Sequence, residues 1–518
     1  MKFLRSKHVE ILSLILFIGS FLRLYQLNTE SLWIDEMNSL YRADNLGIEN
    51  PRPIYFLLLQ LWTIIGESDS WLRSISLIFG IGSLVLTYHL ARQLTDRNIA
   101  LVSTLLLAVS PIAINHSQEV RMYSLVIFLS LLGTIALVEF FDRPSRKWLV
   151  LWSVSRLLNV LTFQLTILLL LPDIVIFLFF FQPWRKWLRA FISALGLLVL
   201  GLLPTVTISY LPSIQGYLEP RTNGGGEASA SASVSFISTI ADSVTSVVSK
   251  LVSLTVFWPL NLVLGNSALS LFYKAFTLVI FLLLVFAIFK GNAIGRTNLI
   301  LIWTFLPSVA LFLGSTLFLG GEIWISRYLL FIVPYFLMAI AVGFSQLWRW
   351  QPQFTVALVL LYSLAVGGGL TYYYSTLYRD DWQGLARVLE ENVTPSDTVV
   401  YFAPEKYVEY SLPRYYDASP SLYEVSNVFD EFSDDEDDRS DETSYPNFTQ
   451  GLPTDGSKLY LACYISCRDK EGIDSIAQTV IGNNFTIEAE QSFQGKAPGA
   501  VWPLRLLTIE PGKSQPPG

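Results

Sequence analysis

The chain has 518 residues and a net charge of −7; 52% of its residues are hydrophobic and only 15% are charged. A soluble domain carries about a quarter charged residues, so the composition excludes an ordinary soluble protein and predicts a membrane protein with several spans. The pI of about 5.2 and the lack of a basic stripe exclude a nucleic-acid partner. Only three His and two Cys are present, which disfavours a metal site built from Cys and His.

The first apolar run predicts a membrane helix that is retained rather than cleaved. Lys2, Arg5 and Lys7 precede it, Arg23 interrupts its end, and no small-residue cleavage site follows. The run at 54–65 is too short for a span and is predicted to be an interfacial or re-entrant helix. Eleven spans are predicted, near residues 9–27, 72–91, 98–114, 122–141, 147–161, 163–181, 190–211, 269–289, 298–319, 327–347 and 354–375.

The charges of the connecting loops support this topology. Every second loop is basic, at Arg92 and Arg97, Arg143, Arg146 and Lys147, Arg185, Lys186 and Arg189, Lys290 and Arg296, and Arg349. The intervening loops carry few Lys and Arg, as the positive-inside rule requires of loops outside the cytoplasm. The N-terminus is therefore predicted to be cytoplasmic, and the chain after the eleventh span to lie outside. A span at 54–65 would invert this alternation.

After Tyr374 the composition becomes that of a soluble domain, which predicts two domains, 1–375 in the membrane and 376–518 outside it. Asp381 is expected to cap a helix that starts near Trp382. Helix signals alternate with strand signals, so the fold class is an α-helical polytopic membrane protein with a C-terminal extracytoplasmic α/β domain. The predicted strands are at 398–402, 458–465 and 501–509.

Two further features of the C-terminal domain follow from composition. The run 430–442 holds nine acids and one Arg, which predicts a disordered, solvated loop; a calcium site there would lack a regular ligand spacing. Cys463 and Cys467 lie four residues apart in a compartment predicted to be oxidising, so they can form a small-loop disulfide.

Carboxylates and arginines from four separate segments are predicted to meet at the outer membrane interface. Carboxylates can deprotonate a nucleophile or hold a divalent ion, and arginines bind phosphate oxygens through paired hydrogen bonds. This combination predicts a site that acts on a lipid-linked phosphate. The residues are Asp35 and Glu36 in the first outer loop, Arg52 before the re-entrant run, Glu119 and Arg121 before the fourth span, and Arg327 before the tenth.

Most of these residues also have a simpler explanation when taken alone. Asp35 and Glu36 could be solvated acids in a loop. Arg327 could anchor the chain by reaching the headgroups. Glu119 and Arg121 could pair with each other, and His116 could be structural. The shared membrane face of the residues favours a joint function.

Four motifs resemble the GT-C superfamily of glycosyltransferases, and more narrowly its protein-mannosyltransferase and aminoarabinose-transferase branch (glycosyltransferase family 39-like), which includes many bacterial members. Leu32-Trp33-Ile34-Asp35-Glu36 is similar to the acidic motif of the first outer loop, and Ser117–Tyr123 to the run Ser-Gln-Glu-Ala-Arg-Met-Tyr. Arg52–Phe56 is similar to the run His/Lys-Pro-Pro-Leu-Tyr, and Arg327–Leu330 to an Arg-Tyr-Leu motif. The likeness covers roughly residues 1–350.

The resemblance implies an inverting glycosyltransferase that moves a sugar from a polyprenyl-phosphate donor to a lipid, glycan or protein acceptor at the outer face of a bacterial inner or plasma membrane. Asp35 would be the catalytic base and Glu36 its neighbour. Arg52 and Arg327 would hold the departing phosphate, and Glu119 would position the acceptor or, with Asp35, a divalent cation. The other motif positions expected to bind substrate are Tyr55, Arg121 and Tyr123.

Two departures from the family pattern bear on donor binding, since Arg52 replaces the usual His or Lys and Ile54 replaces the second Pro. The C-terminal domain carries no family motif, which leaves the acceptor open. Two other functions remain as alternatives, a transporter or flippase for lipid-linked sugars and a non-catalytic membrane assembly protein. The transporter is disfavoured because few ionisable residues lie deep in the spans, Asp173 being one.

Overall fold

The computed structural model describes residues 2–47, 50, 52–210, 296–318, 326–376, 379–404, 407, 409–417, 422–427, 458–464, 485–493, 495 and 504–511, with a few single positions between 254 and 284. Its internal contacts divide the chain into two units. The first comprises Met1–Leu27 and Leu46–Tyr373, and the second comprises Asn28–Asn45 and Tyr374–Gly518. The segment Asn28–Asn45, which the sequence division places in the membrane domain, thus packs with the C-terminal part.

The first unit is a helical bundle. Its described helices are α1 (Lys2–Leu24), α3 (Pro53–Thr63), α4 (Asp69–Leu94), α5 (Arg97–Ala108), α6 (Pro111–Asn115), α7 (Tyr123–Asp142), α8 (Arg146–Thr162), α9 (Leu170–Phe180), α10 (Trp184–Thr205), α11 (Thr297–Phe318), α12 (Val333–Trp350) and α13 (Pro352–Ser375). Short 3-10 turns, Gln164–Leu169 and Ser326–Ile332, lead into α9 and α12.

Six segments of the described chain are long and apolar enough to cross a membrane, which makes this an integral membrane protein with several spans. Most residues of Tyr123–Asp142 and Ser326–Trp350 are buried inside the bundle, whereas most residues of Trp184–Ile208 and Pro352–Ser375 are not, and several of their large apolar side chains are exposed. Such an exposed apolar surface suits contact with lipid tails. The polytopic helical fold class is confirmed, while the total of eleven spans stays a prediction. The run at 54–65 forms the 11-residue helix α3.

A buried ion pair connects the helices of this bundle. Both Asp173 and Arg156 are fully buried, and the Arg156 Nε and Nη2 atoms donate to the two carboxylate oxygens of Asp173 at 2.7 and 3.2 Å. The indole nitrogens of Trp152 and Trp303 donate to the same carboxylate at 2.7 and 2.8 Å. A buried charge is tolerated where it is paired and hydrogen-bonded. Asp173 is therefore neutralised by its neighbours and joins α8, α9 and α11.

In its described residues, the second unit contains the helices α2 (Ile34–Asp44) and α14 (Trp382–Asn392) and a five-stranded mixed sheet. The Asp381 side chain accepts a hydrogen bond from the backbone of Gly384, which confirms the predicted helix cap. The strands are β1 (Thr398–Pro404), β2 (Leu422–Asn427), β3 (Leu459–Tyr464), β4 (Phe485–Ser492) and β5 (Leu504–Pro511), in the order β2-β1-β3-β5-β4.

The centre of the sheet forms the core of this unit. Strand β1 is parallel to β2 and β3, and β5 is antiparallel to β3 and β4. All six residues of β3 are buried, as expected for a strand covered on both faces. Cys463 in β3 is disulfide-bonded, while Cys467 and the acidic run 430–442 lie outside the described residues.

Candidate functional site: two acids on a short helix and an arginine cluster around Phe163

Asp35 and Glu36 lie in the first turn of helix α2 rather than in an irregular loop. Carboxylates are favourable there because the first turn of a helix presents partial positive charge. The Glu36 Oε2 atom accepts a hydrogen bond from the backbone nitrogen of Trp33 at 3.3 Å, which ties the side chain back to the helix start. Glu36 is fully buried, whereas Asp35 is half-buried.

Glu119 is held firmly within the short segment that joins α6 to α7. Its Oε1 atom accepts from the Asn115 Nδ2 atom at 2.8 Å, and its Oε2 atom lies 2.8 Å from the His116 Nδ1 atom. All three side chains are buried. Glu119 thus pairs with His116, which is a different partner from the Arg121 considered on sequence grounds.

The same segment supplies Arg121 and Tyr123. The Arg121 guanidinium lies 5.8 Å from the centre of the Tyr123 ring, and its backbone carbonyl accepts from the Ser76 hydroxyl at 3.0 Å. The Tyr123 ring packs against His116, with centroids 4.7 Å apart, and against Phe163 at 6.0 Å. The segment of Arg121 and Tyr123 is thereby held by Ser76 of α4 and by Phe163, which follows α8.

Arg52 reaches the Phe163 ring from the start of helix α3. The Arg52 Nε atom donates to the Gln164 Oε1 atom at 3.0 Å, and the guanidinium carbon is 5.7 Å from the centre of the Phe163 ring. Gln164 therefore orients the guanidinium, and the aromatic face adds a cation–π attraction. Tyr55, three residues further along α3, is buried and contacts Phe56 edge-on.

Arg327 approaches the same ring through its neighbour. Its guanidinium is 5.7 Å from the centre of the Tyr328 ring, and Tyr328 packs against Phe163 with centroids 5.5 Å apart. Both residues are half-buried in the 3-10 turn that precedes α12. Arg52, Tyr123 and the Arg327–Tyr328 pair thus converge on one aromatic side chain.

Phe163 and Gln164 were not identified from the sequence. Helix α8 ends at Thr162, Phe163 is extended with φ −155° and ψ 113°, and the chain continues as a 3-10 turn. This break brings the two side chains toward α3 and the start of α7. The available signal is the gap between the predicted spans 147–161 and 163–181, where the apolar pattern is interrupted.

The candidate residues are distributed over both units. Asp35 and Glu36 belong to the second unit, and Arg52, Tyr55, Glu119, Arg121, Tyr123 and Arg327 belong to the first. In the part of the chain that the structure describes, no group of three or more His, Cys, Asp or Glu side chains is placed to hold a metal ion. Both carboxylate oxygens of Glu119 already have protein partners.

The sequence of residues 49–210 matches the family model described as dolichyl-phosphate-mannose-protein mannosyltransferase. This match covers the segments that contain Arg52, Glu119 and Phe163. No curated protein matches the chain.

The structure resembles that of ArnT from Cupriavidus metallidurans. For the apo state the TM-score is 0.51 at 14% identity, covering 99% of this chain and 100% of ArnT. For ArnT bound to undecaprenyl phosphate the TM-score is 0.50 at 12% identity, covering 99% of each chain. This likeness confirms the expected GT-C fold, a helical membrane bundle with a C-terminal sheet.

A lower similarity is found to the oligosaccharyltransferase of Archaeoglobus fulgidus, with a TM-score of 0.42 and 13% identity over 78% of this chain. The chain covers only 61% of the length of that enzyme.

Proposed function

Since the chain has the GT-C fold and carries a mannosyltransferase family sequence over residues 49–210, we propose that it is a membrane glycosyltransferase with a polyprenyl-phosphate sugar donor. The observation that carries this proposal is the convergence of Arg52, Tyr123 and the Arg327–Tyr328 pair on Phe163. Two guanidinium groups beside aromatic faces suit a lipid whose apolar chain ends in a phosphate. ArnT binds undecaprenyl phosphate, a lipid of this class.

Asp35 is the general base of the proposed reaction. Its half-buried carboxylate lies in the first turn of α2, where it can accept the proton of an acceptor hydroxyl or amine. The acceptor oxygen or nitrogen then attacks the anomeric carbon of the sugar as the bond from that carbon to the phosphate oxygen breaks. This single displacement inverts the anomeric configuration and releases polyprenyl phosphate.

Arg52 and Arg327 stabilise the leaving group in this proposal. Negative charge develops on the phosphate as the glycosidic bond breaks, and donors that are oriented in advance lower the energy of such a transition state. Gln164 holds the Arg52 guanidinium at 3.0 Å. Glu119, fixed by Asn115 and His116, would keep the segment of Arg121 and Tyr123 in place. Tyr55, Arg121 and Tyr123 complete the proposed substrate-binding set.

A divalent cation at Asp35 and Glu119 stays a prediction. Among the described residues no metal-binding group was found, and the two oxygens of Glu119 are engaged by Asn115 and His116. The proposed displacement therefore assigns no step to a metal ion. The acceptor would be a lipid, glycan or protein of the cell envelope.

We place the second unit outside the cytoplasm of a bacterial inner or plasma membrane. The disulfide of Cys463 supports this side, because disulfides persist in oxidising compartments. Asn28–Asn45 and the C-terminal part form one unit, so they lie on the same membrane face and an even number of spans separates them. The predicted topology has ten spans between these segments, which agrees with this requirement.

The proposal can be tested with membranes that contain the full chain, compared with membranes of a strain that lacks it. A labelled sugar is supplied as the polyprenyl-phosphate conjugate or as the matching nucleotide sugar, and label is measured in lipid, glycan and protein fractions. We expect transfer from the polyprenyl conjugate alone, with an inverted anomeric centre in the product. Transfer from the nucleotide sugar alone, or retention of configuration, would contradict the proposal.

A further inference from the structure

The C-terminal part holds the segment that carries the proposed base at several points. The Ser31 hydroxyl accepts from the backbone of Gln383 at 3.0 Å, and the backbone nitrogen of Leu32 donates to the Tyr415 hydroxyl at 2.9 Å. At the other end of α2, the Tyr410 hydroxyl donates to Asp44 at 2.6 Å. These contacts lie within the second unit, and along the chain they flank Asp35 on both sides.

Arg379 is the charged centre of this attachment. Its side chain is 7% exposed, and its Nε atom lies 3.6 Å from the Glu30 Oε2 atom and 3.7 Å from the Glu36 Oε2 atom. Glu36 is fully buried, and a buried carboxylate without a compensating charge is costly. Arg379 therefore provides a positive charge beside the buried Glu36 carboxylate.

Glu36 transmits this constraint to Asp35. The same Oε2 atom that faces Arg379 accepts from the backbone of Trp33, so it fixes both the start and the rotation of α2. Adjacent residues of an α-helix point about 100° apart, so holding Glu36 inward directs Asp35 along a different, half-exposed face.

We propose that Arg379 is a positioning residue for the glycosyl transfer, acting through Glu36 on the base Asp35. The C-terminal part would then be needed for the chemical step itself, in addition to any role in acceptor binding. This inference rests on the proposed function of Asp35. It assigns Glu36 to orientation and leaves proton abstraction to Asp35.

The test measures donor kcat and KM for purified, full-length Arg379→Met, Glu36→Gln and the double variant, each normalised to folded protein. We expect each single variant to lower kcat about 10–100-fold, because small misplacements of a catalytic group cost this much, with KM changed less than about twofold. Arg387→Met, an exposed arginine of the same unit, is the matched control and should keep the wild-type kcat.

Two further readouts separate positioning from a general loss of structure. The double variant should be no less active than the less active of the two single variants, because both changes break the same interaction. The acidic limb of the pH profile should move in Arg379→Met and return with Arg379→Lys, which restores the charge. Where Arg379→Met does not fold, Glu36→Gln carries the test, since it preserves shape and the bond to Trp33.

Wild-type kcat and pH profile in Glu36→Gln, or multiplicative losses in the double variant, would overturn the inference. Measuring Asp35→Asn in parallel distinguishes a failure of the positioning role from a failure of the proposed function. If Asp35→Asn abolishes transfer while the Arg379 and Glu36 variants are fully active, only the positioning role is wrong. If Asp35→Asn remains active, the base assignment itself has failed.

Discussion

Two buried arginines, one in each unit, show how the same side chain serves different purposes. Arg156 in the bundle binds Asp173 at 2.7 and 3.2 Å, and also donates to the Ser130 carbonyl and the Thr134 hydroxyl. Arg379 in the second unit lies 3.6 and 3.7 Å from two acids that come from a distant part of the chain. Arg156 and Asp173 are joined by two direct hydrogen bonds, whereas the Nε atom of Arg379 lies at longer distances from the carboxylates of Glu30 and Glu36.

The difference indicates where each pair contributes. The Arg156–Asp173 pair connects helices that must fold together in lipid, where a polar group needs a partner inside the protein. The Arg379 contacts join two segments far apart in sequence, and one of these carries Asp35 beside the buried Glu36. We therefore expect changes at Arg156–Asp173 to affect stability first, and changes at Arg379 to affect turnover first.

The largest effect on stability is expected from Asp173→Asn, because it leaves the Arg156 charge buried without a counter-ion. The bundle should lose about 3–5 kcal/mol of unfolding free energy, measured by denaturant titration in detergent. Asp142→Asn is the matched control, since Asp142 and Arg296 form an exposed ion pair worth at most about 1 kcal/mol. Equal losses in the two variants would contradict the structural role of Asp173.

Asp380, next to Arg379, should make the second unit sensitive to pH. Burial raises the pKa of the Asp380 carboxyl from 3.8 to about 6, although the Gly495 backbone and the Tyr464 hydroxyl oppose the shift. The folded state therefore binds the proton more tightly than the unfolded chain. The resulting stability is complete below about pH 4 and is lost as the pH rises through about 6, in total about 3 kcal/mol.

Asp380→Asn removes this titration and should flatten the pH dependence. The measured quantity is the protection of the β3 peptide against hydrogen exchange. We expect the ratio of variant to wild-type protection to increase between pH 4 and 6 and then level off. A constant ratio for Asp380→Asn would show that the Asp380 carboxyl does not titrate in this range.

At the arginine cluster, Arg52→Ala and Arg327→Ala should each lower kcat/KM for the polyprenyl-phosphate donor. A hydrogen bond to a charged group contributes about 1.5–3 kcal/mol, which corresponds to about 10–100-fold. Arg143→Ala, at an exposed arginine after α7, should leave kcat/KM unchanged. Unchanged donor kinetics in both cluster variants would place the phosphate elsewhere.

The smallest effect is expected from Phe163→Leu, which keeps an apolar side chain but removes the ring that Arg52, Tyr123 and Tyr328 contact. A cation–π contact and an aromatic pair each contribute about 1 kcal/mol, so kcat/KM should fall about 3–10-fold. Phe128→Leu removes a ring that packs on Phe79 in the bundle and controls for lost aromatic packing. A greater loss in Phe128→Leu would rule out a special role for Phe163.

Several features that depend on local sequence were predicted correctly. The spans predicted at 298–319 and 354–375 correspond to Thr297–Phe318 and Pro352–Ser375, because long apolar runs specify membrane helices directly. Strands β1, β3 and β5 were found because central strands are apolar. The missed strands, β2 and β4, are the two edges of the sheet, where polar residues such as Glu488 and Glu490 weaken the apolar pattern.

Features that depend on distant contacts could not be read from the chain. Glu36 and Arg379 are brought together by tertiary folding, and nothing in either local pattern specifies the other. Phe163 resembles the aromatic residues that are common at span ends, so its role emerges only when Arg52, Tyr123 and Tyr328 are seen around it. Local periodicity therefore predicts the elements of this protein better than the chemistry of its site.

The most direct test of the account is sugar transfer from a polyprenyl-phosphate donor by membranes containing Asp35→Asn. The account predicts a loss of about 10²–10⁴-fold in transfer, as expected for removal of a general base, with unchanged expression and donor binding. Glu391→Gln, an exposed acid of the same unit, should retain full activity. Wild-type transfer by Asp35→Asn would contradict the assignment of Asp35 and with it the proposed mechanism.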